Sequence, residues 1–394
     1  MRVIMSGGGT GGHIYPAVAI ADKIKSEEPD SEILFIGTEK GMENDIVPKY
    51  GYEIRNIKAT GFNRKKLLKN FKTLKNFIDS SNKVKKILSE FKPDIVIGTG
   101  GYVTGSVIRE ASKKGIDCYI HEQNAFPGMT NKLLEKRVKN VFLGFEEAAK
   151  YFKRPDKHIY TGNPVREIFK NFKEDYRKKL NLSESGFVIL SFGGSLGASK
   201  INEETVSAAK VLRGVSDVEL IIVTGKRHFD SVKSALEGFG ASFEEENGYL
   251  QAGNIRIMEY ADNLPEYMMA SDLLISRAGA LTISEIIASN KASILVPSPN
   301  VTGNHQYHNA KVLSDRGAAI LMEERDLDSD KILNVILSIG SDKRKLGCIV
   351  ENCTEIEKID RPRRQRSEFS TDSLPPRRDR KALRPETEFR HCPS

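Results

Sequence analysis

Short apolar runs alternate with helix-length segments along most of the chain, and this alternation restricts the fold more than any other feature. Two series of such runs occur, and we interpret each as the buried strands of one sheet: residues 3–6, 33–36, 95–97, 118–120 and 141–143, then 188–192, 220–223, 255–258, 273–275 and 294–296. Strands that are separated by helices form parallel sheets with crossover connections. The pattern therefore predicts an α/β protein with two Rossmann-like domains.

The length of 394 residues also supports two domains, because single cores stop growing at roughly 250–300 residues. Gly and Pro in Thr161-Gly162-Asn163-Pro164 interrupt the pattern, so we expect one domain over residues 1–163 and a second over 164–345. Residues 346–394 become rich in Arg, with little apolar periodicity after Arg361. Such a composition predicts a basic tail that is largely disordered.

Composition restricts the compartment and the partners. The sequence contains no run of about 18 apolar residues, so no transmembrane helix is predicted. The first residues also lack the apolar stretch of a secretory signal. The four cysteines form no CxxC pair, which favours the reducing cytoplasm. A net charge of +8 favours polyanionic partners, namely nucleic acid, anionic lipid or phosphorylated ligands, without choosing among them.

Three glycine-rich loops follow predicted strands: loop 1 (residues 7–13), loop 2 (98–102) and loop 3 (193–197). Backbone N–H groups at such loops can approach a phosphate or a sugar at a helix N-terminus. Loop 1 alone also satisfies the GxGxxG pattern of dinucleotide-binding oxidoreductases, with Glu39 as a possible ribose ligand. His13 closes loop 1, where an imidazole can accept a proton near neutral pH.

Polar clusters follow three further strands. The segment His121-Glu122-Gln123-Asn124 could bind sugar or relay a proton, and the alternative for His121 and Glu122 is that they anchor a loop through hydrogen bonds. Glu285 either accepts both ribose hydroxyls or only adds favourable charge to a first helical turn, where a diphosphate would also be favoured. Asn304-His305-Gln306 offers amide contacts to sugar hydroxyls.

A metal site is not expected. Asp326-Leu327-Asp328 matches a DxD string, but it follows Glu323-Glu324-Arg325 and is interpreted as a solvated charged run. If the protein is a transferase whose leaving group is a diphosphate, a site without a metal must offset the charge of that diphosphate in another way. Helix dipoles, backbone donors and a cation such as Arg166 could do so.

A basic amphipathic stretch extends from residue 62 to residue 92. Its apolar residues are interleaved with ten cations: Arg64, Lys65, Lys66, Lys69, Lys72, Lys75, Lys83, Lys85, Lys86 and Lys92. Such a face can lie on anionic lipid. The alternative is a core-facing helix with a solvated basic side.

The motifs GGGTGGH, GTGGYVTGS, HEQN, GNPVR, GGSLGAS, SRAGALTISE and NHQ occur in this order over about residues 1–345. Together they resemble the MurG family of N-acetylglucosaminyltransferases, which convert lipid I to lipid II. The resemblance implies a GT-B fold without a cofactor. The N-terminal half would bind the lipid acceptor, and the C-terminal half would bind UDP-N-acetylglucosamine.

The resemblance also implies roles for individual residues. His13 would be the base of an inverting transfer to the acceptor C4 hydroxyl, with Glu122 as the alternative base. The donor contacts would come from Thr10, Gly11, Gly12, Asn124, Arg166, Ser195, Ala261, Ala280, Leu281, Thr282, Glu285 and Gln306. Two departures from the family stand out. Leu196 and Ser199 replace a glutamine and a cationic or polar residue, and the Arg-rich tail stands where a final helix crosses back to the N-terminal domain.

The partners that the resemblance implies are UDP-N-acetylglucosamine, lipid I and the anionic cytoplasmic surface of the membrane, where the protein would be peripheral. Nucleic acid is not expected. Three alternatives stay open: a transferase of the same fold with another lipid or small-molecule acceptor, a UDP-N-acetylglucosamine epimerase, and a non-enzymatic binding protein that retains the fold.

Overall fold

A computed structural model gives the structure of residues 1–58, 70–169, 174–194, 197–327 and 330–367, with the backbone alone described for residues 70–78 and 359–367. Within these ranges the strands form two separate sheets, one in each half of the chain. Helices connect the parallel strands in both halves.

The first sheet is parallel throughout, with strand order β3-β2-β1-β4-β5-β6-β7. Its strands are β1 (Arg2–Gly7), β2 (Glu32–Thr38), β3 (Glu53–Ile57), β4 (Ile95–Gly100), β5 (Asp117–Glu122), β6 (Asn140–Leu143) and β7 (His158–Tyr160). The accompanying helices are α1 (Gly11–Glu27), α2 (Glu43–Ile46), α3 (Asn70–Phe91), α4 (Tyr102–Lys113) and α5 (Met129–Leu134).

The second sheet has the order β10-β11-β12-β9-β8-β13-β14-β15. Its strands are β8 (Phe187–Phe192), β9 (Val218–Val223), β10 (Glu244–Glu246), β11 (Tyr249–Ala252), β12 (Ile255–Met258), β13 (Leu273–Ser276), β14 (Ala292–Leu295) and β15 (Ile320–Leu321). Its helices are α6 (Tyr176–Lys179), α7 (Ser199–Leu212), α8 (Phe229–Glu237), α9 (Leu264–Ala270), α10 (Ala280–Ser289), α11 (His305–Ser314), α12 (Lys331–Ser341) and α13 (Lys343–Ser367). Only the β10–β11–β12 edge is antiparallel among the pairings described.

The central strands are apolar at successive positions because both faces of each sheet are covered. In β1, Ile4 packs into one core cluster while Val3 and Met5 pack into another. In β8, Leu190 and Ile189 likewise pack into two different core clusters. Alternate residues of a strand point to opposite faces, so buried parallel strands become continuous apolar runs. The predicted fold class of two Rossmann-like domains is confirmed.

The strands that the sequence did not predict are short or lie at sheet edges. They are β3, β7, the β10–β11 hairpin and β15. All three residues of β10 are exposed, and those of β7 and β15 are half-buried. A strand becomes a continuous apolar run only where both faces of the sheet are covered, and these strands are not covered on both faces.

The prediction of disorder after residue 346 is wrong for residues 346–367, which belong to α13. Ile349, Cys353 and Ile356 are buried at helical spacing in the cores of the second domain. The Cys353 thiol lies 3.6 Å from the Ile286 carbonyl oxygen of α10. An apolar stripe on one face is what docks a helix. Residues 368–394 of the predicted tail lie outside the described residues.

Replacing Ile349 with alanine is expected to destabilise the second domain by about 2–5 kcal/mol, because a cavity remains where the side chain is removed. Ile349 is 7% exposed. The exposed Glu351 of the same helix provides the control, as Glu351→Ala. Thermal unfolding followed by circular dichroism measures both. Equal melting temperatures for the two variants would mean that α13 is not part of the folded domain.

Candidate active site

Ligands of open α/β folds bind outside the carboxyl ends of the strands. Direct contacts join the domains there. Asn163, between β7 and β8, donates to the Gln123 carbonyl at 2.9 Å and to Ser284 Oγ at 3.0 Å. The predicted motifs of the two halves therefore meet at one place.

The non-helical part of loop 1 ends at Thr10, whose backbone is extended, and the last three residues of the loop form the start of α1, which begins at Gly11. Thr10, Gly11 and Gly12 thus form the N-terminal end of a 17-residue helix. At this end, first-turn N–H groups have no partner within the helix and the helix dipole is positive. The predicted donor-binding role of these three residues stays a prediction, and the local geometry suits an anion or a sugar oxygen.

The His13 ring is half-buried and held by loop 1. Its Nδ1 lies 3.1 Å from the Gly8 carbonyl oxygen and 3.4 Å from Thr10 Oγ1. A carbonyl oxygen can only accept a hydrogen bond, so Nδ1 carries the proton and Nε2 has the free lone pair. At Gly100 of loop 2, a Cβ would lie 2.8 Å from Nε2. Only glycine lets loop 2 approach this nitrogen.

Burial lowers the pKa of His13 below its ordinary value, and the neighbouring His305 of α11 acts in the same direction. The hydrogen bond to Gly8 and the carboxylates of Glu122 and Glu43 oppose the shift. His13 is therefore neutral at physiological pH, which is the state that a general base requires.

Glu122 is buried with its carboxylate fully engaged. Oε1 accepts from the backbone and side-chain N–H groups of Asn124 at 3.0 and 3.2 Å. Oε2 accepts from the Gly128 N–H at 3.0 Å and from Asn131 Nδ2 at 2.9 Å. A carboxylate with four such partners holds a loop in place. The geometry favours the anchoring alternative for Glu122 over the role of base.

His121 is also an anchor. It is fully buried, and its Nε2 and Nδ1 lie 3.1 Å from the Gly162 carbonyl oxygen and 3.0 Å from Gln123 Nε2. Burial lowers the pKa of His121 to about 4. The ring stays neutral at physiological pH and orders the HEQN segment.

Asn124 reaches across the interdomain space. Its Oδ1 accepts from Asn309 Nδ2 of α11 at 3.2 Å. Asn309 is fully buried, accepts from the Ala125 N–H at 2.9 Å and donates to the Ala278 carbonyl at 3.2 Å. The sequence analysis missed Asn309, although it lies one helical turn after His305-Gln306. It fixes the HEQN segment against the second domain.

Arg166 and Glu285, both predicted donor ligands, pair with each other. The guanidinium Nε and Nη2 donate to the two carboxylate oxygens at 2.6 and 2.7 Å. The Glu285 side chain is 12% exposed and that of Arg166 is 46% exposed. Burial raises the pKa of Glu285, and Arg166 opposes this shift. The carboxylate predicted for the ribose thus already has a bidentate partner.

Helix α10 begins beside this pair. Gly279 caps it in an extended conformation, and Ala280, Leu281 and Thr282 form its first turn. The Ser284 hydroxyl donates to the Ala280 carbonyl at 3.0 Å. The first-turn N–H groups point away from the helix and suit a diphosphate.

The remaining predicted donor residues differ in what the structure shows of them. Gln306 Oε1 accepts from the Ser298 N–H at 2.8 Å, which orients its amide. Ala261 is buried in a turn closed by the Leu264 N–H at 3.2 Å. Ser195, like the divergent Leu196, lies outside the described residues.

The structure also places two further sequence features, Glu39 and the DxD string. Glu39 of the dinucleotide-binding alternative is exposed in the turn after β2. Asp326 lies in a short 3₁₀ segment, while Asp328 is outside the described residues. In the described ranges, no group of three or more His, Cys, Asp or Glu side chains is placed to hold a metal ion.

Glu43 was not among the predicted site residues, yet it is fully buried directly against loop 1. Its Oε2 accepts from the Gly9 N–H at 3.1 Å. A Cβ at Gly8, Gly37 or Gly41 would lie within 2.7 Å of the Glu43 side chain. Flanking glycines were the available signal, but an isolated Glu after a strand carries no recognisable motif.

Each half of the chain matches a known protein domain. Residues 3–143 match the glycosyltransferase family 28 N-terminal domain, and residues 188–352 match the C-terminal domain of the same family. A curated relative from Thermoanaerobacter sp. (strain X514) is 42% identical over 361 residues, covering 91% of this chain and 96% of the relative. That relative is named UDP-N-acetylglucosamine–N-acetylmuramyl-(pentapeptide) pyrophosphoryl-undecaprenol N-acetylglucosamine transferase.

Solved structures agree with the fold. The crystal structure of Acinetobacter baumannii MurG has a TM-score of 0.70 at 26% identity and covers 90% of this chain and 94% of its own. A UDP-N-acetylglucosamine 2-epimerase reaches 0.57 at 12% identity, with coverage of 89% and 90%, which shows the shared fold alone. The identity to the curated transferase extends over almost the whole of both chains, and the chain therefore belongs to the MurG family within glycosyltransferase family 28.

Proposed function

We propose that this protein transfers N-acetylglucosamine from UDP-N-acetylglucosamine to the C4 hydroxyl of the N-acetylmuramyl residue of lipid I, giving lipid II for peptidoglycan. The observation that carries the proposal is the 42% identity over 96% of a relative with that activity in its name. The fold alone would not suffice, because an epimerase that acts on the same sugar nucleotide shares it.

The donor would bind mainly to the second domain. Glu285 would accept the ribose hydroxyls, and the start of α10 would face the diphosphate. Since Arg166 pairs with Glu285, ribose binding would release at least part of the guanidinium toward the diphosphate. Such an exchange leaves neither charge unpaired, which keeps its free-energy cost low. Ser195 and the loop 3 backbone would add donors to the leaving group.

The transfer itself would be a single displacement. The acceptor O4 forms a bond to C1 of the donor sugar, while the bond between C1 and the diphosphate oxygen breaks and its electron pair leaves with UDP. The O4 proton passes to His13 Nε2, whose lone pair is free because Nδ1 binds the Gly8 carbonyl. Attack from the face opposite the leaving group inverts the anomeric centre.

Incubation with UDP-N-acetylglucosamine, with and without a lipid I analogue in detergent, tests the proposal through the release of UDP. We expect release that depends on the acceptor and resists a chelator. Release without acceptor would favour the epimerase or a hydrolase. UDP binding without release would favour a transferase with another acceptor.

The described helices include none that is long and apolar enough to cross a membrane. In the described part of the basic stretch, Val84, Ile87 and Leu88 are buried in the core, while Lys83 and Lys86 are exposed. This part follows the alternative of a core-facing helix with a solvated basic side. Residues 62–69 lie outside the described residues, and the side chains of 70–78 are not described.

A neighbouring surface supports peripheral binding at the cytoplasmic face of the membrane. Tyr102, Met129 and Leu133 are exposed by 65%, 54% and 64%. They lie on α4 and α5, which pack together where Gly105 approaches the Thr130 methyl group. Exposed apolar side chains of this kind suit a lipid surface.

Replacing Leu133 with aspartate is expected to weaken binding to vesicles that contain anionic lipid by about 10- to 100-fold, since it removes ~1.5–3 kcal/mol of apolar burial and adds a repelled charge. Leu337→Asp on α12 is the matched control, because Leu337 is an exposed leucine of the other domain, 47% exposed. Sedimentation with vesicles measures both variants. Equal retention would place the membrane surface elsewhere. Binding to nucleic acid is not expected in either case.

A further inference from the structure

The Glu43 carboxylate is enclosed by backbone. It is 0% exposed, and Oε1 accepts from the N–H and the hydroxyl of Thr38 at 2.8 and 2.7 Å. Oε2 accepts from the Gly9 N–H at 3.1 Å. Within the described part of the chain, no cation is among the hydrogen-bond partners of this buried carboxylate, which therefore needs an explanation beyond packing.

The contact with Gly9 leads to the candidate base. The N–H of Gly9 and the carbonyl of Gly8 are the two ends of one peptide group, and this carbonyl oxygen lies 3.1 Å from His13 Nδ1. The carboxylate and the imidazole are therefore bound to opposite ends of the same peptide group. A negative charge at the N–H polarises the peptide and makes its carbonyl a stronger acceptor, since linked hydrogen bonds strengthen one another.

We propose that Glu43 and His13 form a carboxylate–peptide–histidine relay, in which Glu43 is a positioning residue that acts through the Gly8–Gly9 peptide group. The relay holds His13 in the tautomer with the proton on Nδ1. It also stabilises the imidazolium that forms when Nε2 accepts the O4 proton. Glu43 stays ionised throughout, and no proton reaches it. The inference rests on the proposed function, in which His13 is the base.

The packing around the carboxylate supports this role. A Cβ at Gly8 would lie 2.6 Å from Glu43 Oε1, and one at Gly41 would lie 2.1 Å from Oε2. At Gly37 it would lie 2.7 Å from the side chain. Three glycines thus leave the space that lets Glu43 reach loop 1.

The charges near His13 come from three elements. Glu43 is the first residue of α2 and Glu122 is the last residue of β5, and both raise the pKa of His13, whereas His305 of α11 lowers it. Burial raises the pKa of Glu43, but the hydrogen bonds from Gly9 and Thr38 outweigh it and hold the value below the ordinary range. Glu43 is therefore ionised at physiological pH.

Nitrogen NMR of histidine-labelled protein tests the relay without any turnover. In the wild-type protein we expect His13 to carry its proton on Nδ1. In Glu43→Gln, which keeps the shape but removes the charge, we expect the His13 pKa to fall and the Nδ1–H tautomer to lose population. The acid limb of kcat/KM should move to lower pH. The plateau of kcat should fall by about 10- to 100-fold, less than the full effect of a general base.

Glu110→Gln is the matched control, since Glu110 is also a buried carboxylate of the first domain, 2% exposed and paired with Lys113 at 3.1 Å. Its His13 titration should equal that of the wild type. A wild-type protein with the proton on Nε2 overturns the relay, whether or not the Glu43 variant folds. So does a folded Glu43→Gln variant with the wild-type tautomer and acid limb. Full activity of His13→Ala would instead remove the proposed base, independently of the tautomer.

Discussion

Alanine at position 13 is expected to lower kcat by about 10²–10⁴-fold, which is the usual contribution of a positioned general base. The KM for UDP-N-acetylglucosamine should change little, because the donor contacts are assigned to other residues. Steady-state release of UDP with saturating lipid I analogue measures both constants.

His158→Ala is the control for loss of an imidazole from the same domain. His158 binds Glu135 at 3.0 Å and touches no proposed substrate contact, so its variant should lose stability rather than kcat. Glu122→Gln separates the alternative base. If Glu122→Gln were to abolish turnover while His13→Ala retained it, the assignment of the base would be reversed.

The pH dependence of the activity follows from the protonation of His13 Nε2. Only neutral His13 can accept the O4 proton, and burial holds its pKa below the ordinary value of 6.5. Activity should therefore persist below the pH at which an ordinary histidine becomes charged, and be lost as the pH falls through the lowered pKa. The acid limb of kcat/KM against pH reports this value for the free enzyme. An acid limb above 6.5 would contradict the assignment.

Alanine at position 285 is expected to weaken UDP binding by about 10- to 100-fold, because a hydrogen bond to a charged group contributes about 1.5–3 kcal/mol. The variant also leaves the Arg166 guanidinium without the carboxylate that it binds at 2.6 and 2.7 Å. Isothermal titration with UDP measures the loss.

A matched ligand separates the ribose contact from the loss of the ion pair. UDP without the 2′ and 3′ hydroxyls should bind the wild type more weakly than UDP does, and Glu285→Ala should no longer distinguish the two nucleotides. If the variant keeps the wild-type preference for UDP, Glu285 does not hold the ribose. Its pairing with Arg166 would then be only a structural link between the start of the second domain and α10.

Much of the fold was predictable because its signals are local. A parallel strand that is covered on both faces must be apolar at consecutive positions, and this holds for β1 and β8. Glycine loops that follow such strands can be recognised from neighbouring residues. The position of His13 at the end of loop 1 was visible for the same reason. The disorder predicted for residues 346–367 was wrong, because Ile349, Cys353 and Ile356 form a stripe too sparse to stand out among so many charged residues.

The sequence by itself determined the two α/β domains, the loops at their strand ends and most of the candidate site residues, since each depends on residues close together in the chain. Only the tertiary structure decided which of these residues bind one another. Arg166 pairs with Glu285 across 119 positions, Asn124 meets Asn309 across 185, and Glu43 reaches Gly9 across 34. The physical reason is that hydrogen bonds depend on distance in space, and an isolated Glu or Asn has no local pattern that indicates its partner.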